Sequence, residues 1–342
     1  MKLTKDNIDH FFDSIHLQEI LVIGDVMLDE YIEGEVSRIS PEAPVPIVNV
    51  KRRKTCLGGA ANVALNLRAM GALPILCGVV GEDGKGFDFL RHMEAASLPH
   101  DGIIRSEERP TTTKKRIIGN KMQLLRVDEE VDSPISPNDE RRMWDNILQL
   151  LQNRPIQAII FEDYDKGVIT GSLIAKVTDW ALAHDIPVCV DPKKRNFNSY
   201  RQVSLFKPNL SELSAGLDIP KSELENSEAL SRHIEAFMQK SGHRMVMATL
   251  SENGLILCQY LKDGSFSSTW IPAIVRNICD VSGAGDTVIS IATLGMIMGV
   301  SATQMAEMAN IAGGLVCETV GVVPVDKALL EKECRQILFE EK

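Results

Sequence analysis

Apolar residues along the chain fall into two alternating kinds of run. Short, β-branched stretches at 20–24, 74–80, 158–161, 187–190, 205–206, 245–249 and 254–258 are apolar at most positions, the pattern of strands buried on both faces. Between them, apolar residues recur every three or four positions over 60–70, 86–96, 138–152, 171–184 and 225–241, which predicts helices with one buried side. The C-terminal part reads as mostly helical, with helices expected at 287–298, 302–318 and 326–339. Strands alternating with helices predict a mostly parallel sheet covered on both faces, an α/β fold.

Two segments break that rhythm. Residues 31–54 are rich in proline and β-branched residues, and 111–127 alternate basic or polar residues with apolar ones. Neither carries a helical period, so both read as strands of a small second sheet, a lid on the main domain. No internal repeat and no low-complexity linker interrupts the chain, so one domain over 1–342 is expected.

Composition narrows the class. With 44% hydrophobic and 25% charged residues the chain has a globular balance. Lys plus Arg is 37 and Asp plus Glu is 47, a formal charge of −10, which opposes a broad nucleic-acid or acidic-membrane footprint. A local basic cluster could still hold a phosphorylated ligand. The seven cysteines are scattered and form no Cys-x-x-Cys pair, so buried free thiols in a reducing compartment are expected. The histidines show no metal-binding spacing. The N-terminus is charged and amphipathic, and no apolar run reaches about 18 residues, so a cytoplasmic protein is expected.

The candidate chemistry lies in Asp280-Val281-Ser282-Gly283-Ala284-Gly285-Asp286-Thr287, followed at once by an apolar helical stretch. Gly283 and Gly285 allow a tight turn and close approach of a ligand. The first amides of the following helix have no intrahelical acceptor, and the helix dipole points its positive end the same way, a favourable seat for a transferring phosphoryl group. A carboxylate in that seat can take a proton from an attacking hydroxyl, and Asp286 is the candidate base. An isolated Gly-x-Gly-Asp also serves simply to start a helix, with the acid favourable in its first turn. A second glycine-rich element, Gly58-Gly59-Ala60-Ala61-Asn62, opens the helix after the first lid segment, with Gly71 and Gly81 beyond it.

These two elements resemble the first and second signatures of the ribokinase-like (PfkB-type) carbohydrate kinases, and the resemblance runs from about Ile20 to about Pro324. It implies a three-layer α/β/α fold with a small β-sheet lid, ATP and Mg2+ as cofactors, and phosphoryl transfer to a sugar hydroxyl. It also implies roles for individual residues. Asp286 would be the base, with the amides of Gly283, Ala284 and Gly285 around the γ-phosphoryl. Asp29 would bind sugar hydroxyls, with Gly59 and Asn62 on the sugar side. Asn209 and Glu212 match the family Asn-x-x-Glu, which arranges the magnesium through water; the same spacing also makes a helix capping box. Thr249 and Gly254 would lie around ATP and Asn310 beside the adenine, and the position of Lys193 after a strand end suggests the phosphates. A dinucleotide fold fits poorly, because 78–84 is not Gly-x-Gly-x-x-Gly.

A narrower resemblance rests on Gly24-Asp25-Val26-Met27-Leu28-Asp29 and Ser37-Arg38-Ile39-Ser40-Pro41-Glu42-Ala43-Pro44, with Asp163-Tyr164, Lys166-Gly167 and Asp191-Pro192-Lys193. These stretches are similar to the D-glycero-β-D-manno-heptose 7-phosphate kinases, the kinase halves of the bifunctional enzymes of ADP-heptose synthesis. The implied reaction is ATP-dependent phosphorylation at C1, giving the 1,7-bisphosphate for the lipopolysaccharide core. A phosphorylated sugar needs a basic receptor at its far end, and the lid offers Arg38, Lys114, Lys115, Arg116 and Arg126.

Departures from the pattern bear on substrate. Met27 and Ala60 stand where ribokinases place asparagine and lysine, which argues against ribose. Asp165 stands where bifunctional relatives carry a small residue, and Val322 where a threonine is expected. The sequence ends at Lys342, so no nucleotidyltransferase domain is expected to follow. Two alternatives stay open: another ribokinase-like kinase acting on a hexose phosphate or a keto-sugar acid, and a catalytically silent sugar-phosphate-binding regulator. The exposed edges of a β-rich lid lead us to expect a homodimer through the lids.

Overall fold

The computed structural model describes residues 2–339; Met1 and residues 340–342, the outermost of the expected domain, lie outside the described residues. In chain order the strands are β1 (Glu19–Gly24), β2 (Val26–Ile39), β3 (Pro46–Gly59), β4 (Leu73–Gly81), β5 (Ile103–Ser106), β6 (Thr113–Gly119), β7 (Met122–Glu129), β8 (Ile156–Glu162), β9 (Val188–Asp191), β10 (Leu205–Phe206), β11 (Met245–Thr249), β12 (Leu255–Tyr260) and β13 (Phe266–Ile271). Among the described residues they make a nine-stranded sheet in the order β13-β12-β11-β10-β9-β8-β1-β4-β5 and a four-stranded sheet in the order β3-β2-β6-β7. The large sheet is parallel from β11 to β5, with β12 and β13 added antiparallel at one edge.

Alternation within the strands divides the interior into two cores. Ile20 and Val22 of β1 pack with the helices Ala60–Ala69, Ala284–Ile297 and Ala302–Val316, while Leu21 and Ile23 pack with Pro137–Asn153, Gly171–Ala183 and Ser227–Ser241. This is the expected three-layer α/β/α arrangement with a smaller separate sheet, and it explains why the parallel strands read as continuous apolar runs.

Connectivity carries the small sheet straight out of the large one. β1 ends at Gly24, and after Asp25 the chain enters β2; β3 returns and ends at Gly59, directly before the helix Ala60–Ala69. Val26 pairs with Gly59, and Ala60 N donates to Asp25 O at 2.9 Å, so the base of the lid is fixed to the end of β1. β2 and β3 thus extend beyond 31–54 at the site end. Gly59 has φ +61°, and a Cβ there would lie 2.3 Å from Asp25 O, so only glycine allows this crossing.

Two strands and three helices lack a signal in the sequence pattern. β5 has four residues, and β13 reads Phe-Ser-Ser-Thr-Trp-Ile on the antiparallel edge, where a half-polar strand suffices. The helices Ile8–Ser14, Leu210–Leu217 and Lys221–Leu224 have at most eight residues, too short to establish a period. Of the seven cysteines five are buried, Cys56 is partly buried and Cys279 is exposed; all are free. Among the described residues no helix is long and apolar enough to cross a membrane.

Candidate active site

The chemistry collects at the carboxyl ends of the parallel strands, where the strand order turns at β1 between β8 and β4. β1 is followed by Asp25, β8 ends in Glu162, β9 ends in Asp191, β10 is followed by Lys207, and β11 ends in Thr249. Register pairs Gly24 with Glu162 and Glu162 with Asp191, so neighbouring strands deliver adjacent carboxylates to one floor.

Asp286 faces that floor from the first turn of the helix Ala284–Ile297 and is 5% exposed. Asn62 Nδ2 donates to its Oδ2 at 2.7 Å, and the Tyr164 hydroxyl donates to its Oδ1 at 2.9 Å. Burial pushes the Asp286 carboxyl up to about 6, and the charge of Asp191 adds to the rise, against the two hydrogen bonds and Lys207. A carboxylate so tuned is ionised at neutral pH yet basic enough to accept a proton. Gly283 caps this helix with φ +81°, and a Cβ there would lie 2.7 Å from Asn62 Nδ2. A Cβ on Gly285 would stand 3.3 Å from Lys207 Nζ and 3.5 Å from Asp191 Oδ2, so the glycine keeps that approach open. Of the three expected anion-hole amides, that of Ala284 donates to Val281 O at 3.3 Å.

Tyr164 and Asn62 owe their aim to separate supports. Asp25, 1% exposed, accepts from the backbone amides of Tyr164, Lys166 and Val168. Arg109 donates to Lys166 O and, at 2.7 Å, to Val131 O. Asp165, the departure noted in the sequence, has φ +56°, a left-handed conformation that aspartate tolerates. Asn62 is backed by Asn66, whose Oδ1 accepts from Thr287 Oγ1 and Val325 N, each at 3.0 Å. The sequence places Asn62 on the sugar side, and its amide nitrogen donates to Asp286.

The Lys207–Asp191 pair, at 2.8 Å, has side chains only 3% and 4% exposed. Burial works against the Lys207 ammonium, but Asp191, Glu212 and Glu162 outweigh it and hold its pKa up. Lys193 pairs with Glu212 and lies 5.5 Å from the centre of the Tyr164 ring. Asn209 and Glu212 form a full capping box: Glu212 Oε2 accepts from Asn209 N at 2.8 Å and Asn209 Oδ1 from Glu212 N at 2.9 Å. Thr249 is bridged to Asn209. Gly254 has φ +85°, and a Cβ there would lie 2.1 Å from Ile271 O. Asn310 donates to Pro272 O at 2.8 Å and lines a cavity of about 790 Å³ with Ile271, Ala273 and Ile311.

Asp29 sits on β2, 5% exposed, paired with Arg116 of β6. Arg116 stands over the Tyr31 ring at 5.3 Å, with Lys54 on the same ring at 6.0 Å. Ser282 N and Gly321 N each donate to Asp280 at 2.9 Å; burial opposes its charge, yet these bonds and the Arg116 charge keep its pKa low, so this lid face looks onto the 280–286 turn. Arg126 pairs with Arg116 across β7 and β6 and bonds Asp128 at 3.0 Å. Lys115 is not brought to this face: alternation turns it to the other side of β6, where it and Lys85 meet Glu30. Arg38 is not brought there either. It lies exposed near the tip of the β2–β3 hairpin, nine residues from Asp29 and thus roughly 30 Å along the strand.

A family model described as pfkB family carbohydrate kinase matches residues 17–328. Similar curated relatives carry the name bifunctional protein HldE. That of Helicobacter pylori is 36% identical over 305 residues, covering 89% of this chain and 64% of the relative. That of Wolinella succinogenes is 39% identical over 303 residues, covering 88% and 61%. The chain thus spans less than two thirds of the length of these relatives. Among solved structures, Escherichia coli phosphofructokinase-2 in complex with potassium superposes with a TM-score of 0.75 at 14% identity, covering 94% of this chain and 99% of that one. Arabidopsis thaliana ribokinase complexed with ribose and ATP gives 0.67 at 19%, covering 92% and 99%. Both share the fold.

Proposed function

The chain belongs to the pfkB family of carbohydrate kinases and is an ATP-dependent sugar kinase, and from that premise we propose that it phosphorylates D-glycero-D-manno-heptose 7-phosphate at C1, giving the 1,7-bisphosphate. The observation that carries the reading is the pairing of a buried, raised carboxyl at a helix N-terminus, Asp286, with a basic lid face around Asp29. A plain sugar needs only the first; a sugar already bearing a phosphate needs both.

In the proposed reaction the 1-hydroxyl lies beside Asp286, which takes its proton as the oxygen attacks the γ-phosphorus of ATP, the bond to the β,γ-bridging oxygen breaks and ADP leaves. Asn62 and Tyr164 hold both carboxylate oxygens, so the base cannot turn away from the acceptor. The amides at the start of the helix Ala284–Ile297, with Lys207 and Lys193, receive charge on the transferred group. Asp29 orients the sugar hydroxyls. Arg116 and Arg126, with Lys54, form the receptor for the 7-phosphate; guanidinium groups suit it because they bind phosphate with two parallel hydrogen bonds. The lid excludes water and so limits ATP hydrolysis.

Ribokinase-like kinases use ATP with a divalent metal, here Mg2+, which when bound neutralises phosphate charge. The carboxylates of Glu162, Asp191 and Asp286, whose oxygens lie within 4.8 Å of one another, fit such a cation, whose protein contacts are often one or two carboxylates. Thr249, Gly254 and Asn310 form the nucleotide side of the proposed site, and Asn209 and Glu212 would act on Mg2+ through water. One domain over 1–342, a cytoplasmic setting in ADP-heptose and lipopolysaccharide synthesis, and a homodimer through the lids belong to the same reading. The lid leaves Ile39, the hairpin residue Val45, Met122 and Leu125 each more than half exposed, apolar side chains that a second lid would cover.

The test is ATP turnover with heptose 7-phosphate against fructose 6-phosphate, ribose and 2-keto-3-deoxygluconate. A preference for the heptose phosphate is expected. A preference for another acceptor would keep Asp286 and overturn the lid reading; no turnover with any would favour a silent regulator.

A further inference from the structure

Two oxygens on the floor of the site have no hydrogen-bond partner among the described residues. Glu162 Oε2 and Asp191 Oδ1 are buried without a hydrogen bond, on residues 1% and 3% exposed. Burying carboxylate oxygens without donors is costly, so such atoms call for an explanation. Parallel register sets the two residues side by side at the ends of β8 and β9. Carboxylate oxygens of Glu162, Asp191 and Asp286 lie within 4.8 Å of one another. Lys207 is bonded to Asp191 through the other oxygen, Oδ2. Asp286 has each oxygen held, by Asn62 and by Tyr164. The unsatisfied pair is therefore Glu162 Oε2 with Asp191 Oδ1.

Glu212, the expected metal residue, differs. Its Oε2 accepts the Asn209 amide of the capping box, and its Oε1 is paired with Lys193. Both oxygens are already engaged.

We propose that Glu162 and Asp191 ligate a divalent cation directly, through Glu162 Oε2 and Asp191 Oδ1, and that Glu212 acts on this cation only indirectly, by placing Lys193. The inference rests on the kinase reading, which supplies the need for a divalent metal, and goes beyond it in naming the ligands. A hard, oxygen-only pair selects Mg2+ or Mn2+ over metals that favour thiolate or imidazole. Two carboxylates leave the remaining positions to water and phosphate oxygens, so the cation can be present before the nucleotide arrives.

The experiment is titration of the nucleotide-free full chain with Mn2+, followed by electron paramagnetic resonance, with thermal melts in parallel. Wild type is expected to bind Mn2+ without nucleotide and to melt higher with it. Glu162→Gln and Asp191→Asn are expected to weaken binding by about tenfold or more. Glu212→Gln is expected to bind more tightly than either. Glu162→Gln also loses the Mn2+-dependent rise in Tm while its metal-free Tm holds or increases, because a buried negative charge leaves a like-charged neighbourhood. Wild type that turns over sugar but binds no Mn2+ without nucleotide overturns this inference and leaves the kinase reading intact. Tighter binding by Glu162→Gln than by Glu212→Gln also overturns it, returning the metal to the Asn-x-x-Glu motif. Mn2+ bound as expected, with no turnover on any sugar, sinks the kinase reading instead. Should Glu162→Gln fail to fold, the wild-type and Asp191→Asn titrations still decide.

Discussion

The floor of the site and the lid above it are both crowded with charge, yet they hold it in opposite ways. On the floor, Asp25, Glu162, Asp191, Lys207 and Asp286 are each at most 5% exposed, and most of their polar atoms are fixed by backbone amides or a paired side chain. On the lid face, Arg126 is 50% exposed and its partner Asp128 21%; Lys114, at 15%, is shared between Asp128 and Glu130. Buried ion pairs are costly to break, because removing one partner strands the other. The half-exposed Arg126–Asp128 pair contributes little and exchanges partners readily. The floor is therefore built before substrate arrives, whereas Arg126 on the lid is free to exchange partners and Arg116, 20% exposed against 7% for Asp29, is held more firmly. The comparison teaches that reaction chemistry should resist no mutation on the floor, while the lid should decide affinity.

The largest expected effect breaks the floor. Asp286→Asn is expected to lower kcat by about 10²–10⁴-fold, the usual share of a general base, with sugar and ATP binding retained in calorimetry. Unchanged turnover would remove Asp286 from the role of base. The same variant should gain stability at neutral pH. Asp286 has a folded pKa of about 6 against an ordinary 3.8, so its stabilising effect is complete at low pH and is lost as pH rises through about 6. Removing the charge restores it, and Tm at pH 7.5 should rise by a few degrees.

A smaller effect separates the two faces of the lid. Arg116→Met is expected to raise KM for the sugar phosphate by about 10–100-fold, the worth of a charged hydrogen bond, with a lesser change in kcat. Lys115→Met, on the opposite face with Glu30, should leave KM nearly unchanged. Equal effects would erase the distinction drawn between the faces.

Smaller again, Tyr164→Phe removes a donor to the base without moving the backbone that Asp25 holds. We expect kcat to fall about tenfold, with the acidic limb of the pH–rate profile moving to higher pH because a hydrogen bond to the charged form is lost. In the wild type that limb should fall off below about 6. A mass measurement at micromolar concentration checks the lid dimer, and a monomer alone would count against it.

Much of the architecture follows from local pattern. The apolar runs of the central strands and the helices 60–69, 171–183 and 302–316 lie where periodicity puts them, because burial on two faces leaves a readable signature. Gly283, Gly285 and Asp286 were legible together because the turn, the amides and the acid are adjacent in the chain. The sequence places Asn62 on the sugar side, and nothing local shows that its amide also meets a residue 224 positions away. Tyr164 was visible only as part of a resemblance, and its bond to Asp286 spans 122 positions.

Sequence alone thus determined the layers, the family and the candidate base, because each rests on short-range periodicity or contiguous motif chemistry. Tertiary structure alone decided the rest. Strand register put Glu162 beside Asp191, and strand parity sent Lys115 to one face of the lid and Arg116 to the other. Hairpin length carried Arg38 far from Asp29, and the capping box and Lys193 engage both oxygens of Glu212 while Glu162 Oε2 has no hydrogen bond among the described residues. Each depends on which strands pair and at what offset, a long-range choice made by the packing of the whole chain.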